Sequence, residues 1–258
     1  MPPDPATPRA APRAFDAIVC DIDGCLAPES SAPLDAPALA RLAEHNVRAQ
    51  READRPVLSL CSGRPGAFVE CLCRLLSNTS VPCVAEMGVW LFDPRVGRFE
   101  MDPGITPAHV GAVREATAWV ERELVPRGVM IQPGKSASLS LWHADREWLF
   151  AQKARLAEVF AREGWPLRVS STVAWVNCDL AHVNKDTGIA RAVAGAGLTK
   201  ARLAGIGDTL GDLAIRESVG WFACPANAAP ELKARADYVS PHAEIEGVLD
   251  ILTHLPRG

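Results

Sequence analysis

The chain has 258 residues, 48% hydrophobic and 22% charged, which allows a buried core and excludes disorder as its main state. Lys plus Arg number 27 and Asp plus Glu 31, a formal charge of −4. So even a balance gives no electrostatic footprint for nucleic acid or an anionic membrane, and no apolar run approaches the roughly 18 residues that span a bilayer.

Residues 1–13 are dominated by Pro and Ala and have no apolar leader region, which predicts a disordered tail and a cytoplasmic setting. The eight cysteines form no C-x-x-C pair, and Cys71-Leu72-Cys73 is their closest approach in sequence. They are expected to be reduced thiols serving as small apolar residues. Phe15 to Cys20 is a short apolar run that predicts a buried strand. Residues 35–51 follow with helical spacing, then a strand over Val57–Cys61, a helix after Pro65 and a strand over Val81–Ala85.

In the middle, residues 106–124 and 145–162 predict amphipathic helices, with strands at Val129–Ile131, Ser138–Leu141 and Val173–Val176. Toward the end, helices are predicted over 187–197, 210–219, 228–236 and 244–252, with strands at Ala201–Ile206, Trp221–Cys224 and Tyr238–Ser240. Alternating strands and helices imply βαβ units and a doubly wound, mainly parallel sheet of the Rossmann-like α/β class. The expected organisation is a core of residues 14–88 and 184–258, interrupted by an inserted α+β unit over 89–183.

Three of the strand-like runs end in short polar motifs: Asp21-Ile22-Asp23-Gly24, Ser62-Gly63-Arg64, and Gly207-Asp208-Thr209-Leu210-Gly211-Asp212. Asn184-Lys185 opens a helix. A parallel sheet opens all its C-terminal strand ends on one edge, where ligands bind. Asp21, Asp23, Asp208 and Asp212 would then share a crevice, and like charges about 4 Å apart repel by about 4 kcal/mol at an effective dielectric of 20. Such a cluster needs a cation or must take up protons, and hard oxygen donors suit Mg²⁺. Ser62 and the backbone around Gly24 offer hydrogen bonds to phosphoryl oxygens, and an aspartate beside a metal can attack phosphorus.

The ordered set D-x-D-G, S-G-R, N-K and G-D-x-x-x-D resembles the four motifs of the haloacid dehalogenase superfamily. The resemblance covers the chain after residue 13. The long gap between Ser62 and Lys185 is similar to the subgroup with a large α/β cap, which includes Cof-type phosphatases and those acting on sucrose phosphate, trehalose phosphate and mannosyl-phosphoglycerate. It implies Asp21 as nucleophile and Asp23 as general acid and base. It further implies phosphoryl binding by Ser62, with Gly63 and Arg64 beside it, and charge balance by Lys185. Mg²⁺ would be held by Asp21, Asp208 and the backbone carbonyl of Asp23, with Asp212 either a further ligand or the group that orients the metal water. The implied activity is hydrolysis of a small phosphorylated metabolite, a sugar phosphate. A phosphomutase of the same chemistry and a catalytically silent sugar-phosphate binder are the alternatives.

Four departures from the subgroup's pattern stand out. Gly211 replaces a frequent Asn, Glu86-Met87-Gly88 replaces Glu-Asn-Gly, Cys25 replaces a frequent Thr, and Asp179-Leu-Ala-His182 is unusually polar. In the insert, Ser138 and Ser140 alternate with Leu139 and Leu141, predicting a polar face toward the site, with Lys135 gripping a substrate anion or hydroxyl. Trp90, Trp142 and Trp175 are candidates to stack on a sugar, and His143 reads as a wet surface residue.

Overall fold

The structure is a computed structural model that describes residues 13–29 and 32–256. Residues 1–12 of the predicted tail lie outside the described residues. Arg13 does not: its Nε donates to Asp16 Oδ1 at 3.1 Å, and its carbonyl accepts from Arg202.

The chain opens with β1 (Ala17–Cys20), α1 (Ala36–Glu52), β2 (Val57–Leu60), α2 (Gly66–Leu75) and β3 (Cys83–Ala85). A hairpin of β4 (Trp90–Asp93) and β5 (Arg98–Met101) pairs back on β3. Next come α3 (Pro107–Glu123), β6 (Met130–Ile131), β7 (Ser138–Trp142), α4 (Arg146–Glu163), β8 (Leu167–Ser171) and β9 (Val176–Leu180). The last stretch holds α5 (Lys185–Ala196), β10 (Leu203–Ile206), α6 (Leu213–Ser218), β11 (Trp221–Cys224), α7 (Pro230–Lys233), β12 (Tyr238–Val239) and α8 (Glu244–His254).

The central sheet runs β12-β11-β10-β1-β2 with every pair parallel, and β3 adjoins β2 through a parallel bridge between Cys61 and Val84. β1, β2 and β10 are buried along their whole length, as strands covered on both faces must be. Ile18, Cys20, Leu58 and Leu60 meet Leu42 of α1, Leu72 of α2 and Val248 of α8. Ala17, Val19, Leu203 and Phe222 point the other way, onto Ile189 of α5 and Ile215 of α6. Helix starts follow the local sequence: Asp35 accepts from Ala38 N ahead of α1, which has a proline in its first turn.

A second, antiparallel sheet runs β6-β7-β9-β8. One face, with Leu139, Leu141, Val176, Cys178 and Leu180, packs beneath α3 and α4 against Trp119, Leu156 and Phe160. By alternation the other face carries Ser138, Ser140, Asn177 and Asp179. Among the described residues no helix is long and apolar enough to cross a membrane. The eight cysteines are free thiols, and all but Cys71 are buried.

The structure differs from the predicted elements in several places. Residues 173–175, expected to begin a strand, form the turn of the β8–β9 hairpin, where Thr172 N donates to Trp175 O at 3.0 Å and Val173 stands exposed. The β4–β5 hairpin and β8 have no predicted counterpart. That hairpin lies within residues 89–183, yet it pairs with β3 and buries Leu91 and Phe92 in the clusters flanking the central sheet. The helix expected over 210–219 starts with a 3-10 turn at Leu210–Asp212, and that over 228–236 contracts to α7.

Candidate active site

The C-terminal edge of the parallel sheet gathers the motif residues. Asp21 follows β1 directly, its N–H donating to Ile206 O of β10 at 3.0 Å. Asp208 follows β10 by two residues, and Ser62 follows β2, its N–H donating to Val84 O at 3.0 Å. Carboxylate oxygens of Asp21, Asp208 and Asp212 lie within 4.8 Å of one another, and all three residues are buried.

Lys185, at the N-terminus of α5, enters this cluster from the side. Its Nζ lies 3.0 Å from Asp21 Oδ1 and donates to Asp212 Oδ1 at 2.6 Å. Burial disfavours its charge, but Asp21 and Asp212 outweigh that and hold it well above the ordinary lysine range. The acids remain under-compensated. Burial first, and the Asp212 charge second, push Asp21 up to about 8 and Asp208 up to about 9.

Asp208 and Asp212 are not equivalent. Asp212 Oδ2 accepts from the N–H groups of Asp208 and Thr209, each at 3.0 Å, while its Oδ1 is taken by Lys185. Asp208 Oδ1 is buried with no hydrogen-bond partner. Thus Asp212 organises the turn and the lysine, whereas Asp208 has a donor atom to spare. Gly24, at φ +76°, makes room for it: a Cβ there would lie 1.9 Å from Asp208 Oδ2. Asn227 Nδ2 donates to Gly24 O at 2.8 Å and fastens this turn.

Asp23 stands apart from the acid cluster. Arg64 grips its carboxylate through Nε, at 3.0 and 2.9 Å, and through Nη2. Ser62 is buried, and its Oγ accepts from Arg64 N at 3.1 Å. Gly63 lines the same cleft.

Above the motifs the polar face of the second sheet forms the other wall of a cleft of about 390 Å³. Lys135, Gln132, Ser140, Asn177 and Trp175 line it. Lys135 Nζ donates to Ser140 Oγ, which in turn donates to Asn177 Oδ1. Of the three candidate tryptophans, Trp175 is the one in this lining. Trp90 spends its Nε1–H on Ser136 Oγ at 2.6 Å, and Trp142 stands at the exposed end of β7. His143 lies 3.0 Å from the carbonyls of Arg127 and Asp145.

Two further acids matter. Glu29 lines the cleft, and burial followed by the Asp23 charge raises its carboxyl to about 7. An isolated Glu beyond the first motif gives no sequence signal of this. Glu86 is fully buried and its carboxylate is consumed by the segment before β7. It accepts from Ser136 N at 2.8 Å, Ala137 N at 2.7 Å, Ser136 Oγ at 2.9 Å and Ser138 Oγ at 3.1 Å. It fastens the second sheet rather than facing the cleft.

The same architecture is found in solved structures. A protein from Thermoplasma acidophilum superposes with a TM-score of 0.68 at 19% identity, covering 93% of this chain and 98% of that one. A haloacid dehalogenase-like hydrolase from Bacteroides thetaiotaomicron gives 0.67 at 17%, covering 94% and 100%. The sucrose-phosphatase of Synechocystis sp. PCC6803, solved with sucrose and phosphate, gives 0.65 at 17%, covering 94% and 98%. The chain has the fold of the haloacid dehalogenase-like hydrolases. A sequence model described as haloacid dehalogenase-like hydrolase matches residues 172–252, which include Lys185, Asp208 and Asp212. A phosphoglycolate phosphatase from Methanothrix thermoacetophila is 36% identical over 73 residues. That match spans 28% of this chain and a third of that protein's length.

Proposed function

We propose that the chain is a Mg²⁺-dependent phosphatase for a small phosphorylated metabolite, a sugar phosphate, working through an aspartyl-phosphate on Asp21. The observation that carries this reading is the buried cluster in which Lys185 joins Asp21 to Asp212 beside an Asp208 oxygen that has no partner.

The donor set fits a hard divalent cation. It is made of carboxylates within 4.8 Å of one another, with one orphaned oxygen and a glycine that keeps its approach open. Asp21, Asp208 and the backbone carbonyl of Asp23 would hold it, with Asp212 fixing Asp208 through its backbone N–H. When bound, such a cation offsets the charge of the carboxylates and of the phosphoryl oxygens.

Asp21 attacks phosphorus, its new O–P bond forming as the bond to the leaving oxygen breaks. Lys185 shares the negative charge of the attacking carboxylate, and Ser62 hydrogen-bonds the phosphoryl group. Asp23 gives a proton to the leaving alkoxide. It then takes one from the water that attacks the aspartyl-phosphate, releasing phosphate and regenerating Asp21. For this the Arg64–Asp23 pair must open, and the incoming phosphoryl dianion is the anion that competes for the guanidinium. The amide and hydroxyl groups of Gln132, Ser140 and Asn177, with the indole of Trp175, suit a polyol leaving group.

Phosphate release from a panel of sugar phosphates, with Mg²⁺ and with chelator, tests the reading. Metal-dependent release is expected from the wild type and only background from Asp21→Asn. Release that survives in Asp21→Asn removes the covalent route, and an isomerised phosphate ester in place of free phosphate identifies a mutase.

A further inference from the structure

One carboxylate beside the cleft has no part in the chemistry above. Asp179 lies in β9, with Ser138 of β7 and Arg168 of β8 as its cross-strand neighbours. It is 2% exposed, and neither of its carboxylate oxygens has a hydrogen-bond partner. Burial pushes such a carboxyl up toward its neutral form, and the positive charges of Lys135 first and Arg168 second oppose that and favour the carboxylate. Arg168 supplies part of that charge. Its Nη2 stays 4.0 Å from Asp179 Oδ2, and its Nη1 donates to the carbonyls of Leu180 and Ala181.

Lys135 bears on Asp179 more strongly than Arg168 does, from the same sheet face and without an ion pair within 4.0 Å. Its ammonium donates to Ser140 Oγ, and Ser140 pairs with Asn177, the neighbour of the Ser138–Asp179 pair on the same sheet face. It also lines the cleft. Four groups bear on it from the elements around it. Asp179 from β9 and Glu86 from the turn after β3 favour its charge, while Arg64 from the loop after β2 opposes it. The Cys178 thiol, also in β9, is kept neutral by burial. Burial itself is the largest influence and pushes the amine below its ordinary range. Glu86 already accepts four hydrogen bonds, whereas Asp179 accepts none.

We propose that Asp179 is the counter-charge that keeps Lys135 protonated in the cleft wall, and that the ammonium so held donates hydrogen bonds to hydroxyl oxygens of the leaving alcohol. This rests on the phosphatase reading and makes Asp179 a positioning residue for substrate selection.

The test is steady-state kinetics with Mg²⁺ over pH 6 to 10, using glucose 6-phosphate and p-nitrophenyl phosphate, whose leaving group has no aliphatic hydroxyl. Asp179→Asn should raise KM for the sugar phosphate about tenfold more than for the aryl phosphate, with the change in KM rather than kcat. The alkaline rise in KM should move to lower pH, because removing a negative neighbour makes Lys135 easier to deprotonate. In a Lys135→Met background Asp179→Asn should add nothing. Lys135→Arg, which stays charged, should abolish the alkaline rise and serves if Asp179→Asn does not fold. Equal KM changes for both substrates, additivity with Lys135→Met, or an alkaline rise that survives Lys135→Arg would overturn the proposal. A wild type that releases phosphate from neither substrate overturns the phosphatase reading instead.

Discussion

At the scale of single residues, the site depends on backbone approaches that side chains would block. Gly24→Ala places a Cβ against Asp208 Oδ2 and forces a left-handed backbone on alanine. The conformation alone costs about 1–3 kcal/mol, and displacing Asp208 should remove metal-supported turnover. Calorimetric Mg²⁺ titration of the variant checks this, since undiminished affinity would mean Asp208 had not moved. The meeting of Asp21, Asp208 and Asp212 was legible in the sequence because their motifs follow short apolar runs, and apolar runs in a parallel sheet end at one edge, whereas Asp23, expected beside them, is held by Arg64 instead. The division of labour between Asp208 and Asp212 was not. Two aspartates four positions apart look alike until the backbone N–H groups of Asp208 and Thr209 are seen to occupy one of them. Glu29 was equally hidden, and Asp179 stood out only as part of an unusually polar segment, because burial across a cleft or under a sheet leaves no periodic trace.

Among elements, the connection between the two sheets is the sensitive part. Glu86 follows β3 with φ +50° and receives the segment that leads into β7, so one carboxylate sets how the polar sheet face meets the motifs. Glu86→Gln leaves at least one buried donor unsatisfied and should cost about 1–3 kcal/mol. It should also raise KM for sugar phosphates, because Lys135 lies one residue from the clasped Ser136. Denaturant unfolding and steady-state kinetics on one preparation would show both, and a stability loss without a KM change would contradict the coupling. Period-2 alternation in Ser138–Leu141 foretold the polar face. The β4–β5 hairpin escaped because its partly exposed residues, such as Phe99 against Trp90 and Phe92, carry no clean alternation.

For the whole molecule, the under-compensated acids tie stability to pH and to metal. Asp21 and Asp208 stand near 8 and 9 in the fold, far above an ordinary aspartate. Their protonation stabilises the fold fully below the unfolded pKa, and that contribution is lost as pH rises through about 8–9. The metal-free protein should therefore melt at falling temperature from neutral to alkaline pH. Mg²⁺ should raise Tm more at about pH 8.5 than at about pH 6, since protons no longer compete for the carboxylates. Thermal melts at both pH values, with and without the ion, decide it, and equal shifts would separate the acids from metal binding.

The chain leaves the core side at Gly104 and returns at His182, whose ring nitrogen is 3.2 Å from the Gly104 carbonyl. Arg191 reinforces the spot from α5, 3.3 Å from the Asp102 carboxylate. Between Gly104 and His182 lie the four strands of the second sheet and its helices α3 and α4. A segment whose ends already touch can be lengthened, shortened or exchanged with little strain at the splice. In engineering terms Gly104 and His182 are cassette borders. A foreign insert with adjoining ends, provided it also supplies the four donors that Glu86 takes from Ser136, Ala137 and Ser138, would set a new wall opposite the same aspartates.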